Sequence, residues 1–292
     1  MRSVASIPSP THAVWHLGPL PVRAYALCIV VGIFVAVALT LRRWRARGGR
    51  DEDIWDVSFW AIIFGIIGGR LYHVITDGEK YFGSGRHPID ALKIWDGGLG
   101  IWGGIALGAA VGIWYLRRHL GWPDVYRFIN AATPGLLVAQ AIGRIGNYFN
   151  QELFGKPSTL PWALKVSAAH RPPGYAHYAT YQPTFLYEII WNLLLAAVLV
   201  WFDNRRKVRA PGLFPLYVAG YSLFRIFEET LRIDYSQHIL GMRLNFWVAL
   251  IGTLGGLLWF ARIQFKRVAD GAPGDADPTD PATAAYSQSE TA

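Results

Sequence analysis

The chain has one cysteine, two methionines and few charges: Asp, Glu, Lys and Arg together make up 16% of its 292 residues. A single cysteine, Cys28, excludes a disulfide framework and any structural zinc site built on thiolates. A soluble domain carries roughly a quarter of its residues as charges, so the scarcity argues against an ordinary cytosolic enzyme and against a disordered chain. Met1 to Pro21 lack the apolar core of a cleaved signal peptide, so the first hydrophobic run is expected to be retained. The eight histidines show no metal-ligand spacing, and no repeat of fixed period is visible. What is abundant is apolar surface: 52% hydrophobic residues, with 13 Trp, 14 Tyr and 31 Gly. Membrane proteins place aromatics at the interfaces and tolerate glycine in their spans. The composition is that of an integral membrane protein.

A helix needs about 20 mostly apolar residues to cross about 30 Å of hydrocarbon. Seven stretches meet that length, at about 24–41, 55–76, 98–116, 128–147, 184–202, 212–230 and 244–262, giving an all-α fold of seven transmembrane helices. The segments between them alternate in basic charge. Arg42, Arg43, Arg45, Arg47 and Arg50 follow the first span, Arg117, Arg118 and Arg127 the third, Arg205, Arg206, Lys207 and Arg209 the fifth, and Arg262, Lys266 and Arg267 the seventh. The intervening segments are longer and sparser in Lys and Arg. By the positive-inside rule the dense segments are cytoplasmic, which places the N-terminus outside and the C-terminus in the cytoplasm. The formal charge of +8 is thereby accounted for by topology, and no nucleic-acid partner is expected. Residues 1–267 form the spanning domain. Residues 268–292, rich in Pro, Gly, Asp, Thr and Ala, are expected to be a disordered cytoplasmic tail.

Charge inside a span is costly and marks function by default. Three arginines fall within the spans: Arg70, Arg144 and Arg225. One such arginine suits a snorkelling or ion-paired structural group equally well, with Glu188, Glu228 or Glu229 as partners. Three in one small bundle near the outer leaflet suit an anionic ligand, because a guanidinium fork matches phosphate oxygens bidentately. The pairs Arg225/Glu229 and Glu228/Arg232 are four residues apart and can each meet on one helical face. Asp96 stands where it could cap the third helix, and Tyr25 suits an interfacial belt position. The segment at about 148–183 is too polar to cross, and so long an outer segment is a place to expect function.

The run Gly143-Arg144-Ile145-Gly146-Asn147-Tyr148-Phe149-Asn150-Gln151-Glu152-Leu153-Phe154-Gly155 resembles the signature of the prolipoprotein diacylglyceryl transferases, G-R-x-G-N-F-x-N-x-E-x-x-G, with Tyr148 in place of Phe. Further pieces resemble the family in the same order: Pro21 to Tyr25, Gly69 to Tyr72, Trp95 to Gly98, Gln182 to Glu188, and Arg225 with Glu229 and Arg232. The similarity covers about residues 15–265. It implies a multi-pass enzyme of the bacterial plasma (inner) membrane that moves the diacylglyceryl group of phosphatidylglycerol to the lipobox cysteine thiol of a prolipoprotein signal peptide. The products would be a thioether and glycerol 1-phosphate, and no metal or organic cofactor is expected.

The residues suit that chemistry. The leaving glycerol phosphate gains negative charge as its carbon–oxygen bond breaks, so donors aimed at that charge are the strongest lever. Arg144 is the expected clamp and Arg225 a second one, with Tyr25 and Glu152 as the remaining catalytic candidates and as alternatives for accepting the thiol proton. Asn147, Asn150, Gly155, Arg70, Glu229 and Arg232 complete the expected substrate-binding set, Gly155 by letting the backbone approach a headgroup. Where many relatives carry a histidine this chain has Trp102, so no histidine base is expected, His73 included. The rival reading is a transporter for an anionic metabolite, which would use the same arginines to line a pathway but would be expected to show paired or inverted repeats. The orientation is open to a direct measurement. With Cys28 replaced, a cysteine at Ser3 should react with an impermeant reagent in intact cells and one at Ser287 only after lysis. Labelling at position 287 in intact cells overturns the assignment.

Overall fold

The computed structural model describes residues 6–18, 20–83, 85–206 and 208–270. Seven long helices follow one another as α1 (Ala24–Arg45), α2 (Asp51–Thr76), α3 (Ile101–His119), α4 (Trp122–Asn150), α5 (Thr184–Arg206), α6 (Leu213–Leu231) and α7 (Leu244–Asp270). Among the described residues four segments are long and apolar enough to cross a membrane: Ala24–Arg45, Asp51–Thr76, Thr184–Arg206 and Leu244–Phe265. α3, α4 and α6 do not reach that standard; α4 carries interior polar residues in its place, Asn130, Gln140, Arg144 and Asn147, and α6 carries Arg225, Glu228 and Glu229. Of the expected tail, residues 268–270 continue α7, and 271–292 lie outside the described residues.

The all-α expectation holds for the long elements. The segments at one end of the bundle add short strands: β1 (Ser6–Ile7), β2 (Val14–Leu17), β3 (Leu20–Arg23), β4 (Ala163–Lys165), β5 (Thr180–Tyr181), β6 (His238–Ile239) and β7 (Met242–Arg243). β1 pairs parallel with β4, and β4 antiparallel with β5, while β2–β3 and β6–β7 are hairpins. Backbone outside the helices needs partners for its N–H and C=O groups, and these ladders supply them. Beneath them Phe154, Leu164, Val166, Tyr181 and Phe185 form a small core of their own, so the long segment after α4 is a folded cap and not a loose loop.

Helix pairing follows the small residues. α1 packs along α4, α2 along α3, α6 along α7 and α4 along α5. Between α2 and α3 the backbones touch at Gly68 and Gly103, where a Cβ on either would run into the carbonyl oxygen of the other. Such crossings substitute close van der Waals contact for a hydrophobic drive that lipid does not provide. At the cap end α3 begins later than its apolar run. Gly97 and Gly98 have φ of 92° and 79°, which interrupts the chain, and the N-cap is Gly100 rather than Asp96. At the opposite end Asp203 of α5 is gripped by Arg43 and Arg47, both basic residues that follow the first apolar run.

Overpacking the glycine crossing should be felt at once. Gly103→Val is expected to lower the thermal midpoint by the equivalent of about 1–3 kcal/mol. Gly255→Ala on α7, where a Cβ meets nothing within 4 Å, should be neutral or slightly stabilising. Thermal unfolding in detergent compares the two, and equal effects would refute the crossing as a tight contact.

Candidate active site

The resemblance-bearing segment is the last two turns of α4 and the chain that leaves it. α4 stops at Gln151, whose backbone is left-handed with φ 51°, and this reversal folds Glu152 back beneath the helix end. The Glu152 carboxylate then accepts hydrogen bonds from Asn147 Nδ2 at 2.8 Å and Asn150 Nδ2 at 3.0 Å. Asn147 Oδ1 in turn accepts from Arg144 Nη1 at 3.3 Å. The Gln151 side chain stitches the cap, donating to the Pro10 carbonyl and accepting from the Ser167 N–H. Arg144, Asn147, Asn150 and Glu152 are therefore one hydrogen-bonded unit.

Arg144 faces the interior, where its Nη2 lies 2.7 Å from Glu188 Oε2 of α5. That contact is an ion pair without hydrogen-bond alignment, and Glu188 Oε2 has no hydrogen bond among the described residues. Glu188 is 1% exposed, and its Oε1 accepts from the Tyr221 hydroxyl at 3.0 Å. Arg225 of α6 pairs with both Glu228 and Glu229 and stands 3.9 Å from Glu188 Oε2. Glu229 continues the chain to Arg243 Nε at 2.7 Å, and Arg243 meets Asp234, which also holds Arg232 Nε at 2.7 Å. Four arginines (144, 225, 232 and 243) thus face five carboxylates (152, 188, 228, 229 and 234) in one continuous network.

Tyr25 stands at the start of α1 with its ring against Gly146, where a side chain larger than hydrogen would collide with it. Gly155 is also in close contact, but with protein. A Cβ there would meet the Leu231 carbonyl oxygen at 2.9 Å, and Gly155 bridges to Arg232 while Lys156 N–H donates to the Leu231 carbonyl. The glycine lets the segment after α4 lie directly on the end of α6, which is how Arg232 reaches the network.

Arg70 stands apart from this network. It is buried at the cap end of α2, where its guanidinium donates to the carbonyls of Ala91, Asp90, Gly97 and Gly98 at 2.6–2.9 Å and stacks over Tyr81. It organises the 88–98 segment and borders a separate cavity of about 300 Å³ shared with His73, Lys80 and Tyr81. His73 pairs with Asp77 at 3.1 Å, and Trp102 is exposed in the first turn of α3. Among the described residues no group of three His, Cys, Asp or Glu could hold a metal ion.

Sequence reasoning weighed Glu188 and Glu228 only as structural partners and did not single out Arg243. Arg243 lies 14 residues from Glu229, and only the β6–β7 hairpin returns it, so no helical spacing could have shown the pair. Tyr221 had a readable signal, being one helical turn before Arg225 on α6.

Asp234, in the segment after α6, gives the network a pH dependence that can be measured. Burial opposes its charge, but the hydrogen bond from Arg232 and the charges of Arg232 and Arg243 outweigh it and hold the carboxyl below its ordinary value. A depressed carboxyl contributes stability that is present above its unfolded pKa, about 3.9, and is lost as pH falls through the folded value. Hydrogen exchange across 232–243 should therefore stay slow at neutral pH and rise in acid below about pH 4. Asp234→Asn should exchange faster at neutral pH and lose that acid step. An unchanged profile in the variant would remove Asp234 from the network.

Comparison with known proteins bears on the whole chain. A family model described as prolipoprotein diacylglyceryl transferase matches residues 12–262. A protein named phosphatidylglycerol--prolipoprotein diacylglyceryl transferase 2 from Streptomyces coelicolor is 52% identical over 255 residues, 87% of this chain and 80% of its own length. A protein of the same name, without the numeral, from Cutibacterium acnes is 50% identical over 265 residues, 90% and 88% of the two chains. One from Frankia alni is 51% identical over 267 residues, 91% and 69% of the two chains. Each of these relatives is a transferase by name, and none is a transporter.

Proposed function

The chain belongs to the prolipoprotein diacylglyceryl transferase family, and from that premise we propose that it transfers the diacylglyceryl group of phosphatidylglycerol to a prolipoprotein. The acceptor is the lipobox cysteine thiol of the signal peptide, and the products are a thioether and glycerol 1-phosphate. The thiol sulfur attacks the diacylglyceryl carbon that carries the phosphate oxygen. As the carbon–sulfur bond forms, the carbon–oxygen bond breaks, and its electron pair leaves on the glycerol phosphate.

The observation that carries this reading is the placement of Arg144. The family signature folds into one hydrogen-bonded unit, and that unit presents a partly buried guanidinium to the bundle interior beside a second one, Arg225. Fixed donors in a water-poor site need no reorganisation as charge develops on the leaving phosphate. Asn147 is one turn from that clamp and Asn150 less than two, and both suit glycerol or phosphate oxygens. Tyr25 and Glu152 suit the thiol proton: Glu152 accepts from both asparagines, and Tyr25 lies in the same neighbourhood, against Gly146. Arg232 and Glu229 extend the site towards the cap, whereas Arg70 acts on the 88–98 segment that borders it. We place the enzyme in the bacterial plasma membrane as a seven-span protein with the network near the outer leaflet, where both the lipid and the signal peptide present their reacting atoms.

The assay is purified protein in detergent with phosphatidylglycerol and a lipobox peptide. It should release glycerol 1-phosphate and increase the peptide mass by one diacylglyceryl group. Arg144→Ala should reduce the rate about a hundred- to a thousandfold, the usual cost of one charge-stabilising donor. Arg144→Lys should not restore it, because an ammonium cannot reproduce a fork. Wild-type activity in Arg144→Ala at matched protein levels would refute the clamp.

A further inference from the structure

The four arginines of the network are already engaged before any lipid arrives. Arg144 sits on Glu188, and a phosphate that claims Arg144 must take it from that carboxylate. Glu188 would then be a buried charge with only Tyr221 and the more distant Arg225 to hold it. A charge left so in a low-dielectric interior is strongly unfavourable. The exchange needs another partner for Glu188, already in place.

The structure has one, one helical turn along α5. Asn192 is 0% exposed, and neither its Nδ2 nor its Oδ1 has a hydrogen-bond partner among the described residues. Gln140 Oε1 likewise has no hydrogen-bond partner among the described residues, and Glu188 Oε2 has only its ion pairs with Arg144 and Arg225. The helix register brings them together. α4 and α5 run antiparallel, with Arg144 on Glu188 at one level and Leu137 packed with Ala196 and Leu199 at the next. Gln140 and Asn192 fall between those two levels, one turn from Arg144 and Glu188 respectively. Gln140 is fixed there by its Nε2, which donates to the Tyr217 hydroxyl at 2.8 Å.

Unpaired amides in a packed apolar interior lower stability, and an apolar residue of the same shape would be neutral or better. Packing therefore does not account for Asn192. Residues four apart on one helical face are within side-chain reach, and a carboxamide offers two N–H donors. We propose that Asn192 is a positioning residue that receives the Glu188 carboxylate when Arg144 turns to the lipid phosphate. One N–H of its amide donates to Glu188 and the other to Gln140 Oε1. The arginine then moves between two anions without leaving either buried charge unpartnered. This rests on the transferase reading, since the phosphate is what Arg144 turns to.

The test uses the full chain and four variants: Asn192→Leu, Asn192→Ser, Glu188→Gln and the double variant Glu188→Gln with Asn192→Leu. Asn192→Leu should keep or raise the thermal midpoint yet lower kcat/KM for phosphatidylglycerol by roughly ten- to a hundredfold, the order that a misplaced group costs. The KM for the lipobox peptide should not change. Asn192→Ser, which keeps a donor, should recover part of the loss. In a Glu188→Gln background no carboxylate needs receiving, so adding Asn192→Leu should cost less than twofold. The upward shift of the thermal midpoint on adding phosphatidylglycerol gives the same comparison for any variant too slow to assay. Three results overturn the proposal: wild-type kcat/KM in Asn192→Leu, loss of activity in step with loss of stability, or the same loss in both backgrounds. A wild-type protein that releases no glycerol phosphate refutes the transferase reading itself, whereas an active one indifferent to Asn192→Leu refutes this step alone.

Discussion

A guanidinium in a medium that cannot hydrate it must be matched by something, and the interior of this bundle is arranged around that requirement. Removing one partner of a buried ion pair typically costs about 3–5 kcal/mol because the other is left bare. Arg144, Arg225 and Arg243 each meet carboxylates that are 1% to 3% exposed. The helices that supply these groups are therefore held in register by charge as well as by packing. α4 is tied to α5 through Glu188, and α6 to the β6–β7 hairpin through Glu229. The same bonds that make the bundle specific also keep the cations compensated, so the proposed chemistry has an anion bound by an exchange of partners, not in an unopposed positive hole.

The cap serves the same end from outside the bundle. Backbone that runs over the end of a helical bundle needs its own hydrogen bonds and its own apolar core, and both are present, in the β1–β4–β5 sheet and the Phe154 and Tyr181 cluster. Because the cap is folded, the chain leaving α4 has one path. The left-handed turn at Gln151 and the contact of Gly155 with the end of α6 set where Glu152 and Arg232 stand. Arg70 has a parallel task on the other side, holding the 88–98 segment by four carbonyls so that α3 enters the bundle at Gly100.

How much of this was readable in the sequence depended on the range of the interaction. The long helices were visible as apolar runs, most clearly α1, α2, α5 and α7, which are long and apolar enough to cross a membrane. The unit of Arg144, Asn147, Asn150 and Glu152 was visible because its members are neighbours on one segment, and Arg225 with Glu229 because they are one turn apart. Glu188 stood in view only as a structural partner, since what gives it weight is that Arg144 reaches it from another helix. Arg243 could not be read, because a two-strand hairpin returns it. Arg70 was grouped with the others by its charge, while the structure sets it apart from their network. Its charge announced function, while the four carbonyls that absorb its donors belong to backbone, which composition does not display. The short strands of the cap are two to four residues long, too brief for alternation to register.

The pairing of β1 with β4 also sets an order of events at birth. Ile7 leaves the ribosome far ahead of its partner, Leu164. At translation rates of about 5–20 residues per second, β1 stays without its partner for on the order of ten seconds. In that time α1 to α4 must be made before the cap can close over them. The carbonyls of Pro8 and Pro10, which Tyr148 and Gln151 later hold, wait equally long. Closure of the cap is thus a long-range step in biogenesis, and the signature segment is pinned at its far end only when the segment ahead of α1 comes back to meet it.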